Sequence, residues 1–314
     1  MKYFAPLLLA VVIGFSASCS KSQQNGGSLE SAFSSGISPD AQTLISVRLD
    51  QLKTSTLYQR HQQLLDIPRL NDLAMRAGLD PRKDIASLCL IWDGKNLVLL
   101  AKGSFSSAQV QQRLIAGGAQ KVAYKSGFLF THGDASVAFP KDGLVVASAT
   151  PAVQSELDLL SSQDGHIADE LKARLAQVPS GAQIWEVSRG GLPGAGMPLG
   201  ASLDSALSNF AAFVTGTSFG LRVDAGSHLQ SLVTCKSPEG AQRVNDAMRG
   251  LVGLARLTTK DDELEMLRLW DAISITKDQQ VVRIQADIPA DLSDKLILQM
   301  EGLRGRVGPL LRPN

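Results

Sequence analysis

The chain has 314 residues, a formal net charge of +1 and a hydrophobic fraction of 44%. This length is sufficient for two domains of ordinary size, each with an apolar core. The near-neutral charge argues against a nucleic-acid partner, because such binding requires a basic surface.

The first residues of the chain have the pattern of an export signal. Lys2 precedes an apolar run from Phe4 to Phe15, which is shorter than the roughly 20 residues that a membrane-spanning helix needs. A positive start, a short apolar region and small residues after it are typical of a signal peptide. We therefore predict a signal peptide over residues 1–18.

The residues that follow give this signal a more specific character. Ser16-Ala17-Ser18-Cys19 resembles the lipobox of bacterial lipoproteins, although Ser16 stands where that family usually has Leu. The resemblance implies cleavage before Cys19 by signal peptidase II, a lipid on the Cys19 thiol and attachment to a membrane facing the periplasm. Ser20, rather than Asp, implies the outer membrane. The alternative is a secreted protein in which Cys19 is incidental.

Residues 19–40 are rich in Ser, Gln and Gly, a composition that predicts a flexible tether. The remainder contains an internal repeat. The order Asp-Ala, Lys-Asp, Val-Val, Pro recurs at 134–151 and at 271–289. A repeat of this period predicts two homologous units, at 41–162 and 182–302. A helical linker at 163–181 joins them, and a tail follows at 303–314.

Within unit one we predict a strand at 44–49, helical segments from Thr54, and a hairpin across Asp93-Gly94. A helix carrying Val110, a meander of strands and a helix from Pro151 complete it. The last helix has its predicted apolar stripe at Val153, Leu157 and Leu160.

Unit two repeats this order with a strand at 184–187, a hairpin at 224–227 and a helix opened by Ser237-Pro238. The apolar stripe of that helix is predicted at Ala241, Val244, Met248 and Leu251. Its final strand and helix place Val282 opposite Val146 in the alignment, and Pro289 opposite Pro151. The predicted fold class is α+β, with a mostly antiparallel sheet in each unit and helices on one face. This pattern, with GLDPRKDI before a strand, loosely resembles uncharacterised bacterial lipoproteins.

One motif suggests catalysis. Residues 216–220, GTSFG, match the nucleophile elbow G-x-S-x-G. That motif requires a sharp turn from strand to helix around the serine, whereas an alternating strand pattern follows here. His228 is the only later histidine and lies at a predicted hairpin turn. A hydrolase using Ser218 is therefore the least favoured hypothesis, and we predict no catalytic residues.

The other chemical patterns predict neither cofactor nor metal. The histidines lack a partner at metal-binding spacing, with His61 expected on a helix surface. The acidic run at 261–265 lacks the central glycine of a calcium loop and is interpreted as a solvated entry to a strand. Cys89 and Cys235 lie in apolar runs and are expected to be separate buried thiols, with a disulfide as the alternative.

The glycine-rich stretch from Gly190 to Gly200 has the most unusual local composition. It is either a flexible loop that replaces a helix of unit one or an apolar flap. In the second case Leu192, Met197 and Leu199 form a binding loop.

Together these features favour a lipid-anchored binding or interaction protein of the cell envelope, whose partner is another envelope protein. The alternative is a carrier of a lipophilic ligand, which would require a closed apolar cavity.

Overall fold

The computed structural model describes residues 27–62, 78–191 and 211–307. Residues 19–26 of the predicted tether, including Cys19, and the loop residues Leu192, Met197 and Leu199 lie outside these ranges. From residue 27 onward the prediction of a flexible tether is wrong, because Phe33 and Ile37 are fully buried in the same core cluster as Leu44.

The described chain alternates short helices with strands. The strands are β1 (Thr43–Arg48), β2 (Ile85–Trp92), β3 (Leu97–Gly103), β4 (Gln120–Tyr124), β5 (Gly127–His132), β6 (Ala135–Lys141), β7 (Leu144–Ala149), β8 (Ile184–Arg189), β9 (Val214–Val223), β10 (Ser227–Cys235), β11 (Ser274–Asp278) and β12 (Val281–Ile288). The helices are α1 (Ser31–Ser34), α2 (Leu49–Leu52), α3 (Thr56–Arg60), α4 (Pro81–Asp84), α5 (Ser107–Ala116), α6 (Thr150–Ser162), α7 (Asp169–Leu175), α8 (Pro238–Thr258), α9 (Leu264–Asp271) and α10 (Ala290–Val307).

All of these strands form one sheet, in the order β11-β12-β10-β9-β8-β1-β2-β3-β7-β6-β5-β4, and every neighbouring pair is antiparallel. The prediction of mostly antiparallel pairing is confirmed. The prediction of a separate sheet in each unit is wrong, because β1 pairs with β8 from Thr43↔Ser188 to Val47↔Ile184. Each of these strands would otherwise be an edge with unpaired backbone groups.

Cross-strand partners share a face of a sheet, so the pairing defines two faces. One row runs through Val146, Leu100, Cys89, Ser46 and Trp185. These side chains pack with Val153 of α6 and Leu171 of α7 in the largest core cluster. We call this side the α6 face.

The opposite row runs through Val282, Val233, Thr217, Ser188 and Thr43. Val233 and Val282 pack there with Ala241 and Val244 of α8, so we call this side the α8 face. The prediction of helices on one face of each unit holds for α8 and α10 of unit two. It is wrong for unit one, where α6 packs on the α6 face but Leu49 of α2 packs with Ala101 on the α8 face. Central strands such as β2, with the run SLCLIW, are apolar on both faces and require cover on both.

The predicted correspondence between Val146 and Val282 also fails. Both side chains are fully buried, but Val146 lies on the α6 face and Val282 on the α8 face. The helix that follows β7 packs on the α6 face, whereas α10 contributes Leu296 to a cluster with Ala286 on the α8 face. The shared sequence pattern therefore did not predict on which face each helix packs.

Two predictions from local sequence signals, a hairpin turn and a helix cap, are confirmed. Asp93 accepts hydrogen bonds from the backbone N–H groups of Lys95 and Asn96 in the β2–β3 hairpin, as turn chemistry predicts. Ser237 caps α8 through Gly240 N at 3.1 Å. The interpretation of the acidic run as a strand entry is wrong, because α9 begins at Leu264.

Candidate functional site

The most unusual surface lies on the last turns of α8 and the start of α9. Leu251, Leu254, Leu257 and Leu264 are 37, 59, 84 and 60% exposed. We call these four side chains the leucine surface. Large apolar side chains on a helix normally face the core, and clusters of exposed ones indicate interaction sites.

The leucine surface exists because α8 is longer than its packing requires. Its first half buries Ala241 and Val244, and Met248 and Val252 still contact the same core. The predicted apolar stripe continued to Leu251, but from that residue onward the leucines turn away from the sheet. The second half of α8 therefore exposes leucine side chains that none of the described residues covers.

The exposed end is not a frayed terminus, because α9 holds it in place. Trp270 Nε1 donates a hydrogen bond to Thr259 Oγ1 at 2.8 Å, and Arg256 forms an ion pair with Asp271. Leu269 of α9 is buried against Ala286 of the sheet. These contacts hold α8 and α9 together, so the exposed leucines lie on a well-ordered helical hairpin.

A second feature is a buried polar cluster on the α8 face, at the centre of the sheet. Glu186 is 5% exposed, and both of its carboxyl oxygens lie 3.1 Å from Thr217 Oγ1. Ser188 Oγ lies 2.7 Å from Thr217 Oγ1 and donates to the carbonyl of Gly191 at 3.1 Å. Desolvation by burial raises the pKa of Glu186 to about 8, against the opposing hydrogen bonds and the charge of Arg174.

The number of protons in this cluster agrees with a neutral carboxyl. A protonated Glu186 can donate to Thr217, Thr217 to Ser188, and Ser188 to Gly191, so that three protons serve three contacts. An ionised Glu186 would need the Thr217 proton for itself. Ser188 would then have one proton for two contacts. The cluster is thus arranged to hold an uncharged glutamic acid.

The structure gives no geometry for a hydrolase at Ser218. This residue lies within β9, is 2% exposed and pairs with Val187 and Leu232. His228 is four residues from Leu232 along β10, which is roughly 14 Å at the rise of a strand. His228 contacts Asp287 instead, at 2.5 Å. The elbow motif is therefore an ordinary stretch of strand.

Three further titratable residues that the sequence analysis considered are buried. His61 is buried, not on a helix surface as predicted, and its Nε2 lies 2.7 Å from Asp294 Oδ1. Cys89 and Cys235 are free and buried in separate clusters, which confirms the preferred prediction for them. Burial raises the pKa of Cys89 to about 12, so its thiol is inert at neutral pH.

Within residues 27–62, 78–191 and 211–307, no group of His, Cys, Asp or Glu side chains is arranged to hold a metal ion. In that same part of the chain, none of the helices combines the length and the apolar character needed to cross a bilayer.

The two best-formed pockets are open clefts. One, of about 640 Å³, lies beside Lys125 and Asp158. The other, of about 340 Å³, lies beside Gly253 and is lined by Val252, Ile273 and Ile275. A carrier was expected to enclose an apolar cavity, and these clefts do not have that form.

Sequence reasoning missed the residues that now stand out. Leu254, Leu257 and Leu264 fall outside the stripe that predicts the core of α8, and this mismatch was a usable signal. Glu186 is the acidic residue in the strand IWEVSR, and an acid flanked by apolar residues in a central strand was a second signal. The predicted sites Cys19, Leu192, Met197 and Leu199 stay predictions.

Comparisons with known proteins add little. No family model matches the chain, and no curated protein matches it. The chain is similar to solved structures of TP0453. Crystal form III is 10% identical, with 86% of this chain and 98% of that chain covered and a TM-score of 0.47. Crystal form I is also 10% identical, with 86% and 97% covered and a TM-score of 0.45.

Proposed function

We propose that this protein is a lipid-anchored interaction protein of the cell envelope, located outside the cytoplasm, that binds a protein partner through the leucine surface. The observation that carries the proposal is the exposure of Leu254 and Leu257 on a fixed helical hairpin. Burying an apolar side chain of this size contributes about 1.5 to 3 kcal/mol, so these leucines can form the apolar centre of a small interface.

The anchor is the second part of the proposal, and it rests on the lipobox resemblance at Cys19. Gly27, where the described chain begins, is eight residue steps from Cys19. A fully extended chain of eight steps spans at most roughly 29 Å. A lipid on Cys19 would therefore hold Gly27 close to the membrane and confine the folded chain to its surface, where local concentration favours weak contacts.

The anchor is tested by mass spectrometry of the membrane fraction. A mature N-terminus at Cys19 carrying acyl mass is the expected result, and Cys19→Ala should be released or left unprocessed. An unmodified soluble chain that starts at another residue would refute this part.

The interaction role is tested by chemical cross-linking in intact cells, with the double variant Leu254→Ser, Leu257→Ser. The wild type should give a discrete cross-linked protein species that the double variant loses. Ile115→Ser is the matched control, since Ile115 is also an exposed helical residue at 46% but lies on α5. Equal cross-linking in all three chains would refute the role of the leucine surface.

We also propose that the two halves of the sheet share an origin by duplication. The strand order outward from the centre is β1-β2-β3-β7-β6 in one half and β8-β9-β10-β12-β11 in the other, which supports a duplicated scaffold. In the first half β5 and β4 extend the sheet, whereas the second half has α9 before β11. The opposite orientation of Val146 and Val282 limits the likeness to strand order.

A further inference from the structure

Two glycines on α8 lie in open space. Gly250 and Gly253 are in the exposed half of the helix, and a Cβ built on either would meet nothing within 4 Å among the described residues. A glycine inside a helix costs about 1 kcal/mol relative to alanine. Neither residue is needed for a turn or for packing against the described residues, and the missing side chains leave room for another backbone to approach closely.

The glycines are on the same stripe as the most exposed leucines. Gly250, Gly253, Leu254 and Leu257 have the spacing i, i+3, i+4, i+7, which places them along one face of a helix. This face has two glycines toward its N-terminal end and two leucines toward its C-terminal end. The cleft of about 340 Å³ beside Gly253 provides additional open space at the same place.

Such a face is complementary to itself. If two α8 helices pack antiparallel about a twofold axis between Gly253 and Leu254, residue numbers that face each other sum to 507. Gly250 then faces Leu257 of the other copy, and Gly253 faces Leu254. Each leucine meets a position without a side chain, which is the self-complementarity that a twofold contact requires.

The charges agree with this arrangement. Since α8 ends at Thr258, the exposed acidic run at 261–263 lies in the turn just beyond its C-terminal end. Antiparallel packing would bring this turn toward the half of the other α8 that carries the exposed residues Arg243 and Arg249. The turn 260–263 has one lysine and three acids, and the segment 243–249 has two arginines and one aspartate, so the two segments carry opposite net charges and attract each other at moderate salt.

We propose that the leucine surface is the contact between two copies of this chain, made by antiparallel packing of the α8 ends about a twofold axis near Gly253. This inference rests on the proposed interaction role and names its partner. The exposed part of α8 from Arg249 to Thr258 is about 15 Å long at 1.5 Å per residue. The contact is therefore smaller than a standard interface, and confinement by the anchor favours its formation.

The first test is a disulfide across the axis in the full mature chain, in its native envelope. Gly253→Cys should give a covalent dimer under mild oxidation, because residues at the axis of two closely packed helices come within disulfide range. Cys89 and Cys235 are buried and do not interfere. Ile115→Cys is the control and should stay monomeric, and a monomeric Gly253→Cys chain would overturn the proposal.

The second test separates a second copy from a lipid surface. Gly253→Leu adds apolar area but blocks the close approach, and the open space at Gly253 lets the folded chain accept it. We expect the dimer dissociation constant of the detergent-extracted mature protein, measured by sedimentation, to rise about tenfold, equivalent to about 1.4 kcal/mol.

A lipid surface would respond in the opposite way: Gly253→Leu would increase binding to vesicles and leave the protein monomeric. That outcome overturns the proposal, as does a wild type that sediments as a monomer. If the wild type is monomeric but Leu254→Ser, Leu257→Ser still abolishes a cross-linked species in cells, the interaction role survives and only the second copy is refuted.

Discussion

Replacing Glu186 by Gln tests whether the centre of the sheet holds a neutral acid. Glutamine has the same shape, and its amide N–H can replace the carboxyl O–H that donates to Thr217. The hydrogen bonds from Thr217 to Ser188 and from Ser188 to Gly191 can then remain as they are. The substitution therefore removes the titration and keeps the contacts.

The magnitude follows from linkage between protonation and folding. The pKa of Glu186 is raised from 4.5 to about 8 in the folded chain. Between these values the folded chain binds one more proton than the unfolded chain. The free energy of unfolding of the wild type therefore falls as the pH rises through this window, by about 1.4 kcal/mol per pH unit. If the two chains are equally stable near pH 4.5, Glu186→Gln should be more stable by about 4 kcal/mol at pH 7.5.

The assay is urea unfolding of both chains at intervals from pH 5 to pH 8, with the free energy extrapolated to water. Glu170→Gln, at an exposed position on α7, is the control and should keep the wild-type slope. If Glu186→Gln also keeps that slope, Glu186 is ionised in the folded chain and the proton count in its cluster is wrong.

Three further results are expected. Glu156→Gln should also reduce the loss of stability between pH 5 and pH 8, because burial raises the pKa of Glu156 to about 8 and its Oε1 has no hydrogen-bond partner among the described residues; an unchanged slope in urea unfolding would contradict this. Gly103→Ala should destabilise the fold by about 2 kcal/mol, since its Cβ would lie 1.8 Å from the Asp84 carbonyl oxygen; a thermal midpoint no lower than that of the wild type would show that β3 can move. Ser218 should remain unlabelled by a fluorophosphonate probe, because it is buried within a strand; labelling that Ser218→Ala abolishes would restore the hydrolase hypothesis.

Local patterns in the sequence were sufficient to predict many elements. The caps at Ser237 and the turn at Asp93 are determined by short-range hydrogen bonds, and these do not depend on the rest of the fold. The buried stripe of α6 was predicted for the same reason, with Val153 fully buried as expected.

The assembly of the sheet could not be predicted in this way. Whether β1 and β8 are edges or neighbours depends on pairing between strands that are about 140 residues apart. The face of the sheet on which a strand buries its residues changes with a register shift of one residue. The Val-Val pairs that begin at 145 and 281 therefore match in sequence, although Val146 and Val282 lie on opposite faces of the sheet.

The leucine surface was missed for a related reason. A stripe of apolar residues on α8 predicts that their side chains are buried. The burial ends where the sheet beneath the helix ends, and only the structure shows that position. Met248 still contacts the core, whereas Leu254 and Leu257 extend beyond it. Periodicity leaves Leu254 and Leu257 off the stripe, but it does not show whether a strand lies beneath that part of the helix.

The most direct test of the interaction role is a photo-activatable amino acid placed at Leu257 in the full chain, irradiated in intact cells. Leu257 is the most exposed of the described large apolar side chains, at 84%, so a probe there does not disturb the fold. We expect a discrete cross-linked protein, of twice the mature mass if the partner is a second copy, and none from the same probe at Ile115. Cross-linking that is absent at Leu257, or equal at both positions, would contradict the account.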